Sequence, residues 1–250
     1  MPPATGDTST FLHLLMFWTG MAVWILLVLT GLKKLFGRLR GRETLDITGR
    51  WVVVTGCDSG FGRGVVAELV ARGANVVACC LTDEGAADAL DSGARAAPAV
   101  DLADDEAVGR IAAEVESLAD GRLWGLVHCA GIAQPGFVDY LPMRFYRESM
   151  AVNFFAPVLL TRKLLDALRS TQGRVVLVSS VDGLVSLPGN AAYDASKYAL
   201  EAYADALRAE LSFWQVAVSV INPSTMKTPM AMGFFESHRK AWGATAAGDP

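Results

Sequence analysis

The stretch Trp51-Val52-Val53-Val54-Thr55-Gly56-Cys57-Asp58-Ser59-Gly60-Phe61-Gly62 decides the fold. An apolar, β-branched run ends at Thr55, a glycine-rich turn follows, and a helical pattern covers 62–72. Glycines let a backbone come close to a pyrophosphate, and a helix N-terminus offers free N–H groups with a partial positive charge. A glycine pattern alone reads equally as a plain tight turn. Placed strand–turn–helix at the start of an alternating α/β chain, it points to a dinucleotide.

That alternation continues outward from the turn. Short β-branched runs lie at Trp51–Thr55, Asn75–Leu81, Ala97–Val100, Trp124–His128, Arg174–Ser179 and Gln215–Ile221. Helical candidates lie between them, near 62–72, 84–91, 104–119, 143–170 and 191–213. Near-continuous apolar strands separated by helices predict a parallel sheet covered on both faces. Residues 50–250 are read as this one domain, large enough for its own core. Past Pro223, the Met- and Phe-rich segment Met226–Phe235 reads as either a mobile lid over a substrate or a packed helix.

A second stretch carries chemistry. In Ser180-Val181-Asp182-Gly183-Leu184-Val185-Ser186-Leu187-Pro188-Gly189-Asn190-Ala191-Ala192-Tyr193-Asp194-Ala195-Ser196-Lys197, the tyrosine and lysine are four apart and stack on one helix face. A phenol titrates near pH 10, and a fixed ammonium one turn away is expected to draw it down towards the working range. Ser180 follows the apolar run Val175–Val178, at the carboxyl end of a strand, where open α/β sheets bind ligands. The combination outlines a proton-transfer site, although Y-x-x-x-K alone fits an ordinary solvated helix.

The N-terminus differs from the rest. Residues 1–10 are small and polar, a disordered tip by composition. Phe11 to Leu32 then carries no formal charge. At about 1.5 Å per residue this run spans roughly 33 Å, against a bilayer core of about 30 Å. It is apolar all round, too long for a signal-peptide core, and lacks a basic segment before it or a small-residue cleavage site after it. A buried core helix is the remaining alternative; a membrane anchor over 11–32 is the reading. Lys33, Lys34, Arg38, Arg40 and Arg42 follow in a basic linker, 33–49, whereas residues 1–10 hold no cation. The positive-inside rule puts the main domain on the cytoplasmic side, with the cations near anionic headgroups.

A formal net charge of -4 offers no basic field to nucleic acid. Cys57, Cys79, Cys80 and Cys129 form no C-x-x-C pair and no metal-ligand spacing with the histidines, so they read as buried free thiols and no metal is expected. Asn222 precedes Pro223, so the chain has no N-glycosylation sequon, consistent with a non-luminal domain.

T-G-x-x-x-G-x-G at 55–62, Ala130-Gly131 after the Trp124–His128 strand, Asn153, Ser180 and Y-x-x-x-K at 193–197 together resemble the short-chain dehydrogenase/reductase family across residues 50 to about 230. The wording GCDSGFG and YDASKYALEAYADALRAEL is most similar to the branch holding retinol, 17β-hydroxysteroid and 3-hydroxybutyrate dehydrogenases. The resemblance implies a Rossmann-type doubly wound α/β sheet. It also implies Tyr193 as general acid/base and Lys197 as ligand of the nicotinamide ribose and modulator of the tyrosine. Ser180 would hydrogen-bond the substrate oxygen, and Asn153 would hold a water in the proton relay. Gly56, Ser59, Gly60, Phe61, Gly62, Ala130, Gly131 and Pro223 would line the cofactor, with Asp101 near adenine and Thr228 near the carboxamide.

A 2′-phosphate wants an Arg or Lys at the end of the second strand or in the glycine turn. Cys80-Leu81-Thr82 and Asp58 stand there, with Asp83 nearby, so NAD is expected over NADP. The chain departs from the family where His128-Cys129 replace a pair of asparagines, removing an amide from the sheet centre. It departs again where Pro223-Ser224 replaces Pro-Gly. The sequence ends at Pro250 without the family's last strand and helix, as a fragment or an edge-deficient domain would. The reading is a membrane-anchored, NAD-dependent oxidoreductase of a hydrophobic alcohol or ketone, a retinoid or steroid first. Its site is the endoplasmic reticulum, with the mitochondrion as alternative, and a homo-oligomer is compatible. Rival readings are a 3-hydroxybutyrate-type small-acid dehydrogenase and a catalytically silent nucleotide-binding scaffold.

Overall fold

A computed structural model of the chain describes residues 8–39, 45–226, 228–233, 236, 239, 242 and 243. It divides into two compact units, Met1–Asp46 and Ile47–Pro250. Among the described residues the first unit contains one helix, α1 (Thr8–Leu39). Its window Leu15–Leu32 has a mean hydropathy of 2.0 and none of it is buried, so by length and composition it can cross a bilayer. The helix runs on through the first basic residues: the segment expected to be linker from 33 is helical as far as Leu39, while Arg40 and Arg42 lie outside the described residues.

The second unit is an alternating α/β structure. Its elements are β1 (Trp51–Thr55), α2 (Gly60–Ala71), β2 (Asn75–Cys79), α3 (Asp83–Asp91), α4 (Asp105–Ala119) and β3 (Leu123–His128). After these come α5 (Met143–Met150), α6 (Ala156–Lys163), α7 (Leu165–Ser170), β4 (Arg174–Val178), α8 (Ala191–Leu211), β5 (Ala217–Ile221) and α9 (Pro229–Met232). All strand pairs are parallel, in the order β2-β1-β3-β4-β5. The period of two along each strand splits the core. Val53, Val77, Leu126 and Val175 face α4, α6, α7 and α8, whereas Val52, Val54, Val76 and Ala78 face α2 and α3. Helices on both faces bury the strands, as predicted for a doubly wound sheet.

Two elements differ from the sequence reading. Ala97–Val100 is not a full strand: it lies beside β2 through isolated parallel bridges, Val77 to Ala96 and Cys80 to Ala99. The rungs Ala78 N to Ala96 O, Cys80 N to Pro98 O and Val100 N to Cys80 O are present. The missing rung is the one that Pro98 would donate, and proline has no N–H. Counting this edge segment, the spatial order reverses between β1 and β3, which opens a crevice at the carboxyl ends of those strands.

The second difference is the predicted single helix 143–170. It is interrupted by a π-helical turn, Ala151–Phe155, and again at Leu164. The cause of the first break is Pro157, which cannot donate to the carbonyl of Asn153 four residues earlier. The ladder widens there, with Ala156 N bonding to Ala151 O. In Met226–Phe235, the short α9 is helical, and Lys227, Phe234 and Phe235 lie outside the described residues.

Candidate active site

The site is built on three strand ends. At the first, Gly56 has a φ of +71°, and a Cβ there would lie 2.6 Å from Ala130 Cα. Only glycine allows the ends of β1 and β3 to meet this closely. Ala130 N also donates to Thr55 Oγ1 at 3.2 Å. Gly62 is fixed for a related reason, since a Cβ would sit 2.1 Å from Gly56 O, inside the turn. The turn therefore packs on itself and on Ala130, leaving Ser59, Gly60 and Phe61 exposed at the mouth of α2. Ser59 makes no side-chain cap there, so the first N–H groups of α2 have no hydroxyl or carboxylate on them from that position. The methyl group of Thr228 lies 3.7 Å from where a Gly60 Cβ would be, which brings the segment after β5 over the turn. This crevice fits a dinucleotide pyrophosphate. Asp101 is exposed at the end of the edge segment, its Oδ1 accepting from Ala103 N at 2.9 Å.

The second strand end leads through Cys129 to Gly131 and Ile132. Asn153, wholly buried in the π turn, accepts from Ile132 N at 2.8 Å. Its amide donates to Ile132 O and to Ser196 Oγ, each at 2.9 Å. Both amide hydrogens are thus committed to protein, and a relay water would fall to the Asn153 carbonyl that Pro157 leaves without its helical donor. Gly131 lies over this group and over Lys197: a Cβ would approach Asn153 Oδ1 to 3.2 Å and Lys197 Nζ to 3.5 Å.

The third strand end carries Ser180. Its hydroxyl accepts from Asp182 N at 3.1 Å and lies near enough to the Tyr193 phenol to lower its pKa. Its carbonyl accepts from Asn222 Nδ2 at 3.1 Å, while Val181 N donates to Pro223 O at 3.1 Å, so the end of β5 braces it. Tyr193 and Lys197 share one face of α8, with Lys197 Nζ 5.5 Å from the phenol ring centre. Ser180, Tyr193, Lys197, Asn153 and Gly131 are therefore gathered in one crevice.

The electrostatics differ from expectation. The lysine is turned to the Val178 carbonyl, which its Nζ meets at 3.0 Å. Burial pushes its pKa down to about 8, with Cys129 and Glu201 opposing. The expected depression of Tyr193 is not found. Burial raises the phenol, the Ser180 hydroxyl lowers it, and the negative charges of Asp182 and Asp194 raise it further. Tyr193 is held in its protonated form in the free protein.

At the sheet centre, His128 stays in register with both Thr55 and Leu177. It is buried, its Nε2 lies 2.9 Å from Thr161 Oγ1, and burial pushes its pKa down to about 3. The lost amide is thus replaced by a neutral imidazole that finds its own partner on α6. Cys129 is half-buried and its thiol pushed up to about 12 by burial, which leaves it inert. Sequence reasoning missed Ser196 and the Val178 carbonyl, which act through contacts between elements distant along the chain, and the carboxylates of Asp182 and Asp194, whose partners are set by how the loop 181–190 folds back on the start of α8.

The comparisons with known proteins agree with this geometry. The family model described as short chain dehydrogenase matches residues 50–239. The chain is 35% identical over 233 residues to 17-beta-hydroxysteroid dehydrogenase type 6 of Bos taurus, covering 90% of this chain and 73% of that protein. It is 38% identical over 233 residues to retinol dehydrogenase 16 of Homo sapiens, covering 88% and 72%. A crystal structure of a short chain dehydrogenase from Burkholderia cenocepacia, in complex with NADP, superposes with a TM-score of 0.68 at 29% identity, covering 75% of this chain and 77% of that one. With a doubly wound sheet, a glycine-lined crevice and a matched tyrosine–lysine helix, the chain belongs to the short-chain dehydrogenase family and is an oxidoreductase.

Proposed function

We propose that this protein is a membrane-anchored dehydrogenase that moves a hydride between NAD(H) and a hydrophobic alcohol or ketone, a retinoid or steroid. The carrying observation is the convergence of Ser180, Tyr193 and Lys197, the ammonium 5.5 Å from the phenol ring centre, at the open end of the glycine crevice. The bound nicotinamide supplies the hydride acceptor or donor at a ring carbon. Gly56, Ser59, Gly60, Phe61, Gly62, Ala130, Gly131, Pro223 and Thr228 hold that dinucleotide, with Asp101 towards its adenine end. Ser180 orients the substrate oxygen and Tyr193 donates or accepts its proton. Lys197 binds the ribose, and Asn153, through its backbone carbonyl, holds the water that reconnects the site with solvent.

The preference for NAD rests on Asp58. Its carboxylate accepts from Leu81 N at 2.8 Å, Thr82 N at 3.0 Å and Thr82 Oγ1 at 2.7 Å, bonds that hold it below the usual carboxylate range against the effect of burial. A Cβ on Gly85 would lie 2.4 Å from Asp58 Oδ1, so that glycine makes room for the anion. A full negative charge therefore sits at the end of β2, and Arg63 in the first turn of α2 is already paired with Asp88 at 3.3 Å. With its oxygens already taken by protein donors, Asp58 discriminates by repelling a 2′-phosphate rather than by grasping a ribose.

The substrate class is supported by the names of the two relatives and by the loops flanking the site. Leu184, Val185 and Leu187, between Ser180 and Tyr193 in sequence, are each more than half exposed, and Val138, in the loop that Gly136 N ties to Gly189 O at 2.8 Å, is 77% exposed. The apolar window Leu15–Leu32 of α1, followed by Lys33, Lys34, Arg38, Arg40 and Arg42, supports an anchor with the catalytic unit on the cytoplasmic face, and the endoplasmic reticulum is the membrane we propose for it. The test is NADH fluorescence with the purified full chain, then turnover of retinol, an androgen and 3-hydroxybutyrate with NAD or NADP. Turnover of retinol or the androgen with NAD preferred at least about tenfold is expected. Turnover of the hydroxy acid alone would replace the substrate class, and binding without turnover would replace the enzyme by a scaffold.

A further inference from the structure

Beside the tyrosine lies a polar cluster that the family pattern does not call for. Asp194, the residue after Tyr193, is only 2% exposed. A carboxylate buried this deeply is costly unless it is fully hydrogen-bonded. Here Oδ2 accepts from Leu187 N at 2.8 Å and Oδ1 from Asn190 Nδ2 at 2.8 Å. The same Asn190 amide also donates to Asp182 Oδ2 at 3.1 Å. Asn190 is itself buried, and its two amide hydrogens join two carboxylates across the base of the loop that links β4 to α8. Asp182 in turn presents its N–H to Ser180 Oγ at 3.1 Å. An unbroken chain of bonds therefore runs from the first turn of α8, through the loop, to the serine that meets Tyr193.

We propose that Asp182 and Asp194, bridged by Asn190, are positioning residues: they lock residues 181–190 so that Ser180 is presented to Tyr193. The idea rests on the reading of Tyr193 as the acid/base group. The groups acting on the phenol are Ser180 and Asp182 from the loop and Asp194 from α8, with the Lys197 ammonium 5.5 Å from its ring centre; the charges of the two carboxylates raise it. A carboxylate near a phenol disfavours the phenolate, so each anion strengthens the protonated tyrosine that carbonyl reduction needs. The directions found for the carboxylates agree. Burial raises both; the Asn190 bond lowers both, and at Asp194 the Leu187 N–H bond lowers as well, while Asp182 raises Asp194.

Charge and position can be separated with three substitutions in the full chain. Asp182→Asn and Asp194→Asn each remove one charge, whereas Asn190→Ala cuts the bridge and keeps both charges. Tyr193 ionisation is read from phenolate ultraviolet absorbance with Tyr193→Phe subtracted, and the pH profile of kcat/KM for retinol oxidation is measured alongside. Both aspartate variants are expected to lower the Tyr193 midpoint by about half a pH unit or more and to move the oxidation profile the same way. Asn190→Ala is expected to lower kcat/KM about tenfold without lowering the midpoint. Unmoved midpoints in folded aspartate variants would overturn the charge role, and a fully active Asn190→Ala enzyme would overturn the clamp. If Asp194→Asn does not fold, the half-buried Asp182 carries the test. Loss of the acid/base reading would look different: Tyr193→Phe would keep its turnover while the ionisation shifts remained measurable.

Discussion

Two helical stretches carry the proposed proton-transfer residues, and they present them in opposite ways. α8 is regular, and its 3.6-residue period alone puts Tyr193 and Lys197 on one face. The stretch from Met143 to Ser170 is irregular, and Asn153 reaches the crevice only because Pro157 opens a π turn around it. A regular helix positions by spacing, whereas a broken one positions by where its backbone bonds fail. The first is robust to changes elsewhere on the helix, and the second depends on one imino acid.

The sharpest test of the regular side is Tyr193→Phe, which keeps the ring and removes the proton. It is expected to lower kcat by about 10²–10⁴-fold, measured as NADH formation on retinol, and near-native rates would remove Tyr193 from the acid/base role. On the irregular side, Pro157→Ala restores the missing N–H and invites the α-helical register. We expect kcat to fall about tenfold while stability in urea changes by no more than about 1 kcal/mol, because the helix gains a bond as the site loses its geometry. Equal activity in the two proteins would mean that the π turn does not matter to Asn153.

The glycine turn offers a milder intervention. Asp58→Ser keeps a short polar side chain but removes the anion at the end of β2. The ratio of kcat/KM with NAD to that with NADP is expected to fall about fivefold or more, and an unchanged ratio would place cofactor choice elsewhere.

The smallest effect on turnover is expected in the sheet centre. Thr161→Val leaves the buried His128 without its partner and should cost about 1–3 kcal/mol in urea unfolding with kcat little changed. The same histidine makes stability pH-dependent. Its folded pKa, about 3, lies below the ordinary value of 6.5, so the unfolded chain binds a proton that the folded one refuses. The contribution is present above pH 6.5 and is lost as pH falls towards about 3, and His128→Asn should flatten that part of the stability profile.

The residue pattern was a good guide wherever a local rule sufficed. Strands β1 to β5 fall within two residues of the β-branched runs, because alternate burial on two faces demands apolar residues at nearly every position. The turn at Gly56–Gly62 and the pair Tyr193–Lys197 were equally plain, being defined by neighbours in sequence. Pro98 and Pro157 were visible too, but their consequences depended on which carbonyl their missing N–H would have met. The charge environment was the least legible part. The lysine near Tyr193 was read as lowering its pKa, but Lys197 bonds to the Val178 carbonyl, and burial together with the charges of Asp182 and Asp194 raises the phenol instead.

Sequence was therefore sufficient for the α/β alternation, the phosphate-binding turn, the apolar N-terminal helix and the Tyr193–Lys197 pair, which follow from spacing and side-chain chemistry, while Asn153 and the further cofactor-lining residues came from the family resemblance. Folding settled the rest: the π turn under Asn153, the half-formed edge beside β2, the imidazole replacing an amide at His128, and the Asp182–Asn190–Asp194 clamp. These depend on burial and on which hydrogen-bond partner the folded backbone brings to each group. A buried group takes its energy from whatever three-dimensional packing puts against it, and neither propensity nor periodicity says what that will be.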